Sequence, residues 1–225
     1  MSGVRLSVLD PALAARTGRG VRIAVVDSGI ASGHPHVGIV TGGLRIGRNG
    51  EEDNDWGDRI GHGTAVAAAI REKAPEAELL AIRVFERELS TTADALALGI
   101  RRAAEHGAQL INLSLGTVNP AHGEHLTRAV HYAAELGALV VSALELDGTS
   151  WLPGSLDGVM GVRLDWDCPR DEICLRQDPN GRLVAIAAGY PRPIPGLSPE
   201  RNLKGISFAV ANVTGVLGRG MGHTS

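Results

Sequence analysis

Three residue types that together catalyse acyl transfer occur at three separate places in the sequence. Asp27 ends the apolar run VRIAVVD, His62 stands in GHGTA, and Ser207 stands in KGISFAVANVTG. A serine hydroxyl attacks well when an imidazole accepts its proton, and a carboxylate bonded to that imidazole fixes its tautomer and stabilises the imidazolium. The residue types therefore predict Ser207 as nucleophile, His62 as general base and Asp27 as the group that orients His62.

Each of these residues also has an ordinary structural explanation. Ser207 precedes an alanine-rich run, where a serine commonly caps a helix. His62 could make a structural hydrogen bond at a helix start, and Asp27 could end a strand at a turn. The sequence favours catalysis because all three occur in order on elements that can bring them together.

The elements that must position these residues alternate between buried strands and helices. Strands that are apolar throughout, separated by helices, indicate a mainly parallel sheet covered on both faces. The fold class predicted is thus α/β, with three layers, and its functional groups are expected at the carboxyl ends of the strands. Strands are predicted at 21–27, 78–85, 108–116, 138–144, 158–164 and 182–188, and helices at 62–74, 91–107, 121–137 and 206–217.

The chain of 225 residues is long enough for one sizeable core, and it contains no repeat or interdomain linker. We predict an N-terminal extension at 1–20, one domain at 21–217 and a flexible, glycine-rich C-terminal tail at 218–225. Longer connections are expected at 31–61, 145–157, 165–181 and 189–204.

Composition excludes several classes of partner. The 22 basic and 25 acidic residues give a net charge of −3, which argues against nucleic-acid binding. The sequence has no apolar run long enough to span a membrane, and the first twenty residues lack the apolar core of a signal peptide. A cytoplasmic location and no membrane partner are therefore expected.

Four segments, IAVVDSGI, GHGTAVAAAI, INLSLG and GISFAVANVTG, match in order the signatures of one family. On these motifs the chain resembles the subtilisin-like serine peptidases (subtilases) over roughly residues 20–217. The resemblance implies a triad of Asp27, His62 and Ser207 acting on a peptide or protein substrate. It also implies that Ser114, Leu115 and Gly116 form an edge to which an extended substrate adds as a strand; without the resemblance, these three residues could simply end a strand.

The match departs from the family pattern around the developing oxyanion. Family members use an asparagine side chain after the strand predicted at 138–144, and this chain has Glu145 or Leu146 there. Ile206 replaces the threonine that usually precedes the serine, and Ala211 and Asn212 replace a usual proline and histidine. Asn119 and Asn202 are conceivable substitutes for the missing donor. The sequence thus predicts a divergent, minimal member that is slow or specialised.

The positions of the first and last motifs near the two ends of the sequence lead to two further expectations. The sequence ends eighteen residues after Ser207, where family members usually have more helices, so we expect a minimal intracellular member or a domain completed by a protein partner. The first strand begins almost at once, so no folding prodomain of the secreted type is expected.

Neither metal nor cofactor is predicted. The acidic stretch EEDNDWGD at 51–58 lacks the spacing of an EF-hand, so a solvated loop is favoured, although structural calcium stays possible. His122, His125 and His131 lack an ordered ligand set and are expected at the surface. Cys168 and Cys174 are expected to be free thiols, with a local disulfide as the alternative.

The prediction for function is a cytoplasmic serine endopeptidase that processes a specific peptide or precursor. Two alternatives stay open. A catalytically impaired pseudopeptidase could bind peptides or act as a scaffold subunit. A hydrolase or transferase could instead use the same serine on a non-peptide acyl group, or ligate peptides.

Overall fold

Seven parallel strands form the centre of the sheet in the computed structural model, which describes residues 3–198 and 201–223. The strands are β1 (Val4–Ser7), β2 (Arg22–Asp27), β3 (Gly42–Ile46), β4 (Glu52–Asp53), β5 (Glu78–Arg83), β6 (Leu110–Leu113), β7 (Leu139–Ala143), β8 (Glu145–Leu146), β9 (Thr149–Ser150), β10 (Val159–Leu164), β11 (Glu172–Gln177) and β12 (Leu183–Ala187). The helices are α1 (Pro11–Ala14), α2 (His62–Lys73), α3 (Ala93–Glu105), α4 (Gly123–Glu135) and α5 (Ile206–Met221), with a 3₁₀ turn at Pro120–His122.

Within the described residues, ten strands make one sheet in the order β1-β11-β12-β10-β7-β6-β2-β5-β3-β4. Strand β2 lies near the centre, between β5 and β6, and its residues Ile23–Asp27 are buried. Both faces of a central parallel strand contact helices, which explains why its side chains are apolar throughout.

Helices cover both faces of this sheet. Helices α2 and α5 pack together on one face, over a core that includes Ile23 and Val25. Helices α3 and α4 pack together on the other face, over Ala24 and Val26. The alternation along β2 sends successive side chains to opposite layers. The predicted three-layer α/β fold is confirmed.

The structure adds strands inside segments that were predicted as an extension or as connections. Strand β1 lies within the predicted extension 1–20 and pairs antiparallel with β11, which lies within 165–181. Strands β3 and β4 lie within 31–61, and the β8–β9 hairpin lies within 145–157. These strands are short or lie toward the edges, and Val4 is 62% exposed, so they lack the continuous apolar run that marks a central strand.

The end of the last helix also differs from the prediction. Helix α5 continues to Met221, so four of the eight residues assigned to a flexible tail at 218–225 are helical. The Arg219 guanidinium donates to the carbonyl oxygens of Lys73, Leu13 and Arg16. These bonds anchor a glycine-rich end that has little apolar surface of its own; residues 224 and 225 lie outside the described part of the chain. Among the described helices, none has both the length and the apolarity to cross a bilayer.

Candidate active site

Asp27 and His62 are in direct hydrogen-bonding contact at the carboxyl edge of the sheet. Asp27 is the last residue of β2 and has no exposed surface, and His62 is the first residue of α2. The Nδ1 atom of His62 lies 2.8 Å from Oδ1 and 3.0 Å from Oδ2 of Asp27. With Nδ1–H donating to the carboxylate, the Nε2 atom of His62 is left as an acceptor on the other side of the ring.

Glycine permits this close approach of strand end and helix start. A Cβ atom on Gly63 would lie 2.2 Å from the carbonyl oxygen of Gly29 and 3.1 Å from Cβ of Asp27. Gly61, the N-cap of α2, has φ of +93°, a conformation that other residues adopt at a cost. The sequence GHG therefore allows His62 to lie against Asp27, because Gly63 leaves room for the Gly29 carbonyl and Gly61 adopts a positive φ.

The surroundings of His62 shift its protonation equilibrium. Burial alone would lower its pKa, but the hydrogen bond that His62 donates to Asp27, the charge of Asp27 and the charge of Asp58 together raise the pKa of His62 above its ordinary value. The imidazolium form is thus stabilised in place, which is what a base needs when it accepts a proton.

Ser207 lies in the first turn of α5, one residue after the helix begins. The N-cap position belongs to Gly205, so the alternative that Ser207 caps this helix is wrong. Among the hydrogen bonds of the described residues, the Ser207 hydroxyl donates to the carbonyl oxygen of Ser114 at 3.5 Å rather than to His62. The neighbouring Phe208 ring lies 6.0 Å from the imidazole, centroid to centroid, which places the helix start beside His62.

A buried polar chain connects this helix start to strand β6. The Thr214 hydroxyl donates to Oδ1 of Asn112 at 3.0 Å, and Nδ2 of Asn112 donates to Oγ of Ser114 at 2.9 Å. The Ser114 hydroxyl in turn donates to the carbonyl oxygen of Ser207 at 3.3 Å. Thr214, Asn112 and Ser114 have no exposed surface. The sequence indicated these buried hydrogen bonds through one polar residue, Asn112, inside the otherwise apolar strand segment INL.

The predicted substrate edge lies where β6 ends. Leu115 and Gly116 line a cavity of about 560 Å³ on the side toward α3. Next to them, Thr117 pairs with Leu152 through two backbone hydrogen bonds of 2.9 and 2.8 Å. A Cβ atom on Gly116 would lie 2.2 Å from the carbonyl oxygen of Leu152. The segment thus borders an open cavity, while the backbone just after Gly116 is already paired with Leu152.

The residues that depart from the family pattern have structural partners of their own. Glu145 forms an ion pair with Arg163 at 3.1 Å, and Leu146 packs partly buried against the core. Asn212 donates from Nδ2 to the carbonyl oxygens of Ala188 and Tyr190, and its buried Oδ1 has no hydrogen-bond partner.

The two asparagines considered as substitutes bond within their own loops. The side chain of Asn119 accepts from the amide of Ala121 and caps the 3₁₀ turn. Asn202 donates from Nδ2 to the carbonyl oxygen of Arg192 at 3.3 Å. Neither of these contacts involves Ser207.

One residue of the acidic stretch 51–58 belongs to the site, and the sequence analysis missed it. Most of its carboxylates pair with arginines, as Glu52 does with Arg102 and Asp53 with Arg45. Asp58 differs, because its carboxylate bonds to the backbone around His62. Its position gave no clear signal, since it lies three residues before Gly61, the N-cap of α2, and among other acidic residues.

The two cysteines are free thiols, as predicted, and both line a small cavity with Arg5 and Arg176. Burial, with the nearby charge of Asp165, raises the pKa of the Cys168 thiol. Within residues 3–198 and 201–223, no three histidine, cysteine or carboxylate side chains converge as a set of metal ligands.

Comparison with known proteins places these features in a family. The model of the subtilase family matches residues 18–144, the part of the chain that contains Asp27, His62 and the Ser114–Gly116 edge. The chain belongs to the subtilase family. Among its subtilase relatives, thermitase of Thermoactinomyces vulgaris is 40% identical over 137 residues, covering 56% of this chain and 47% of thermitase.

Similarity to other subtilases extends further along the chain. Subtilisin Savinase of Lederbergia lenta is 32% identical over 211 residues, covering 88% of this chain and 75% of Savinase. The solved structure of the prenylagaramide maturation protease PagA has a TM-score of 0.64 and 24% identity, covering 94% of this chain and 79% of PagA. That structural likeness shows a shared fold. The chain spans about half the length of the first curated relatives that it matches, from 38% to 56%.

Proposed function

We propose that this subtilase is a serine endopeptidase that cleaves a peptide bond through an acyl-enzyme on Ser207. The observation that carries the proposal is the buried contact of 2.8 Å between Asp27 and His62, beside a helix start that presents Ser207. Relatives named as proteases, thermitase and subtilisin Savinase, support a peptide or protein as the substrate.

The geometry supports a stepwise reaction. The Nε2 atom of His62 accepts the hydroxyl proton as Oγ of Ser207 bonds to the scissile carbonyl carbon. The C–N bond then breaks, and His62 returns the proton to the leaving amine. A water molecule, deprotonated by the same imidazole, attacks the ester carbon; the C–O bond to Ser207 then breaks as His62 returns the proton to Oγ. Asp27 keeps its hydrogen bond to Nδ1 throughout and stabilises each imidazolium.

The residues around the oxyanion support a slow enzyme with a narrow task. The backbone N–H of Ser207 is one donor at a helix N-terminus, whereas Glu145 and Leu146 offer no amide side chain for a second. Loss of one such donor costs about 10²–10³ in turnover. A cut at one site in one precursor tolerates that rate, so we propose peptide maturation as the task; PagA, which has this fold, is named as a maturation protease. A possible protein partner and the cytoplasmic location stay predictions.

A pseudopeptidase that binds peptides is the second candidate. It is favoured by the position of the Ser207 hydroxyl, which donates to the carbonyl oxygen of Ser114 at 3.5 Å and not to the imidazole of His62. In that case the cavity and strand edge at Leu115 and Gly116 would hold a peptide without cleaving it.

Labelling with a fluorophosphonate probe separates the two candidates. The probe reacts with an activated serine, so the peptidase is expected to label, and Ser207→Ala and His62→Ala are expected to abolish labelling. A Ser198→Ala variant serves as a matched control, because Ser198 is an exposed serine. Folded wild-type protein that does not label would favour the peptide-binding protein.

A further inference from the structure

Asp58 accepts more hydrogen bonds than a surface carboxylate ordinarily does. Its Oδ1 atom accepts from the hydroxyl of Ser28 at 2.9 Å and from the amides of Ile60 and Gly61 at 2.9 and 2.8 Å. Its Oδ2 atom accepts from the amide and the hydroxyl of Thr64 at 2.9 and 2.5 Å. Five donors on two oxygens fix this side chain, and they outweigh burial so that the pKa of Asp58 is lowered.

These bonds join the two elements that carry Asp27 and His62. Ser28, fully buried and next to Asp27, donates its hydroxyl to Asp58 and accepts the amide of Gly63 at 2.9 Å. The amide on each side of His62 is therefore bound, Gly61 directly by Asp58 and Gly63 through Ser28. The backbone of His62 is held between strand end and helix start.

Asp58 is also a second negative charge near the imidazole. The charged groups that face His62 are Asp27 from β2 and Asp58 from the loop before α2. From α5 the neighbour is the uncharged ring of Phe208. His34, His36 and Arg192 line a cavity that Asp58 and Gly61 also border.

We propose that Asp58 is a positioning residue for this site: it fixes the backbone on both sides of His62 and adds a second carboxylate that stabilises the imidazolium. The effect of Asp58 on catalysis rests on the proposed function, whereas its effects on the backbone and on the charge of His62 do not. A purely structural helix cap would hold α2 in place and would leave the titration of His62 unchanged.

The experiment is a titration of the histidine side chains by NMR in the full chain carrying Ser207→Ala, with His62 assigned by its loss in His62→Gln. Asp58→Asn is expected to move the His62 midpoint to lower pH, because one carboxylate charge is removed. Asp94→Asn is the matched control, since Asp94 is 87% exposed and pairs with His125. It is expected to leave the His62 midpoint unchanged. An unmoved midpoint in folded Asp58→Asn protein overturns the electrostatic part of the proposal.

A second variant tests the backbone role. Ser28→Ala keeps the Asp58 charge but removes the acceptor of the Gly63 amide, so the rate of fluorophosphonate labelling should fall about tenfold for a loss of about 1.4 kcal/mol. The His62 midpoint should stay near that of the parent. Unchanged labelling in Ser28→Ala overturns the positioning role, even where Asp58→Asn does not fold. If wild type does not label at all but the Asp58→Asn midpoint moves, the proposed peptidase fails while the electrostatic link between Asp58 and His62 stands.

Discussion

The hydroxyl of Ser114 donates to the carbonyl oxygen of Ser207, and the hydroxyl of Ser207 donates to the carbonyl oxygen of Ser114. This reciprocal contact joins the end of β6 to the start of α5. At 3.3 and 3.5 Å both bonds are long, and bonds of that length exchange readily for better ones. Rotation of the Ser207 hydroxyl away from Ser114 therefore costs little free energy.

The first prediction concerns the buried chain behind this contact. Thr214→Val removes the donor to Asn112 Oδ1, which has no access to water, so we expect a loss of about 1–3 kcal/mol in the free energy of unfolding. Urea unfolding of the parent and of Thr214→Val measures this loss. Thr214→Ser keeps the hydroxyl and should lose less; a larger loss in Thr214→Ser than in Thr214→Val would show that the methyl packing, and not the hydrogen bond, stabilises this site.

A second prediction concerns Gly63. In Gly63→Ala the added Cβ would lie 2.2 Å from the carbonyl oxygen of Gly29, so the backbone that holds His62 must move away from Asp27. A displacement of about 1 Å can cost roughly 10²-fold in rate, and the fluorophosphonate labelling rate should fall by about that factor. Gly57→Ala is the control, because a Cβ atom there meets open space. Similar labelling in both variants would contradict the close-approach argument.

A third prediction follows from the raised pKa of His62. A histidine whose pKa is higher in the folded than in the unfolded chain stabilises the fold below its unfolded pKa, about 6.5, and loses that contribution as pH rises through the folded pKa. The free energy of unfolding of the parent, minus that of His62→Gln, should thus be larger at about pH 5.5 than at about pH 9. Urea unfolding at the two pH values, with both proteins carrying Ser207→Ala, tests the sign. A difference that grows with pH would mean that the pKa is lowered in the fold.

Much of the central fold was predictable because buried parallel strands have continuous apolar runs. The run VRIAVVD predicted β2, and the helix predicted at 91–107 forms as α3 after Thr92, whose hydroxyl accepts from the amide of Ala95. Strand β11 could not be predicted in the same way, because its last residues are exposed and its pairing with β1 joins residues about 170 positions apart.

The candidate site was predictable in its residue types but not in its supports. Asp27 and His62 stand in short motifs whose residue types indicate a carboxylate–imidazole pair, and the structure brings these two residues together. Asp58 was not recognised, because an aspartate in an acidic stretch gives no sign of which amides it binds. The role of Arg219 was also hidden, since its acceptors, the carbonyl oxygens of Leu13, Arg16 and Lys73, lie far away in the sequence.

The last prediction concerns the strand edge at Gly116. In Gly116→Ala the added Cβ would lie 2.2 Å from the carbonyl oxygen of Leu152, so the pairing of Thr117 with Leu152 must open. Because this edge is proposed to bind an extended peptide and lies apart from the Asp27–His62 contact, we expect a higher KM for a peptide substrate. The labelling rate by a small fluorophosphonate, which does not need the edge, should change much less. An equal loss in peptide cleavage and in labelling would mean that Gly116 supports the fold of the whole site and not the binding of substrate.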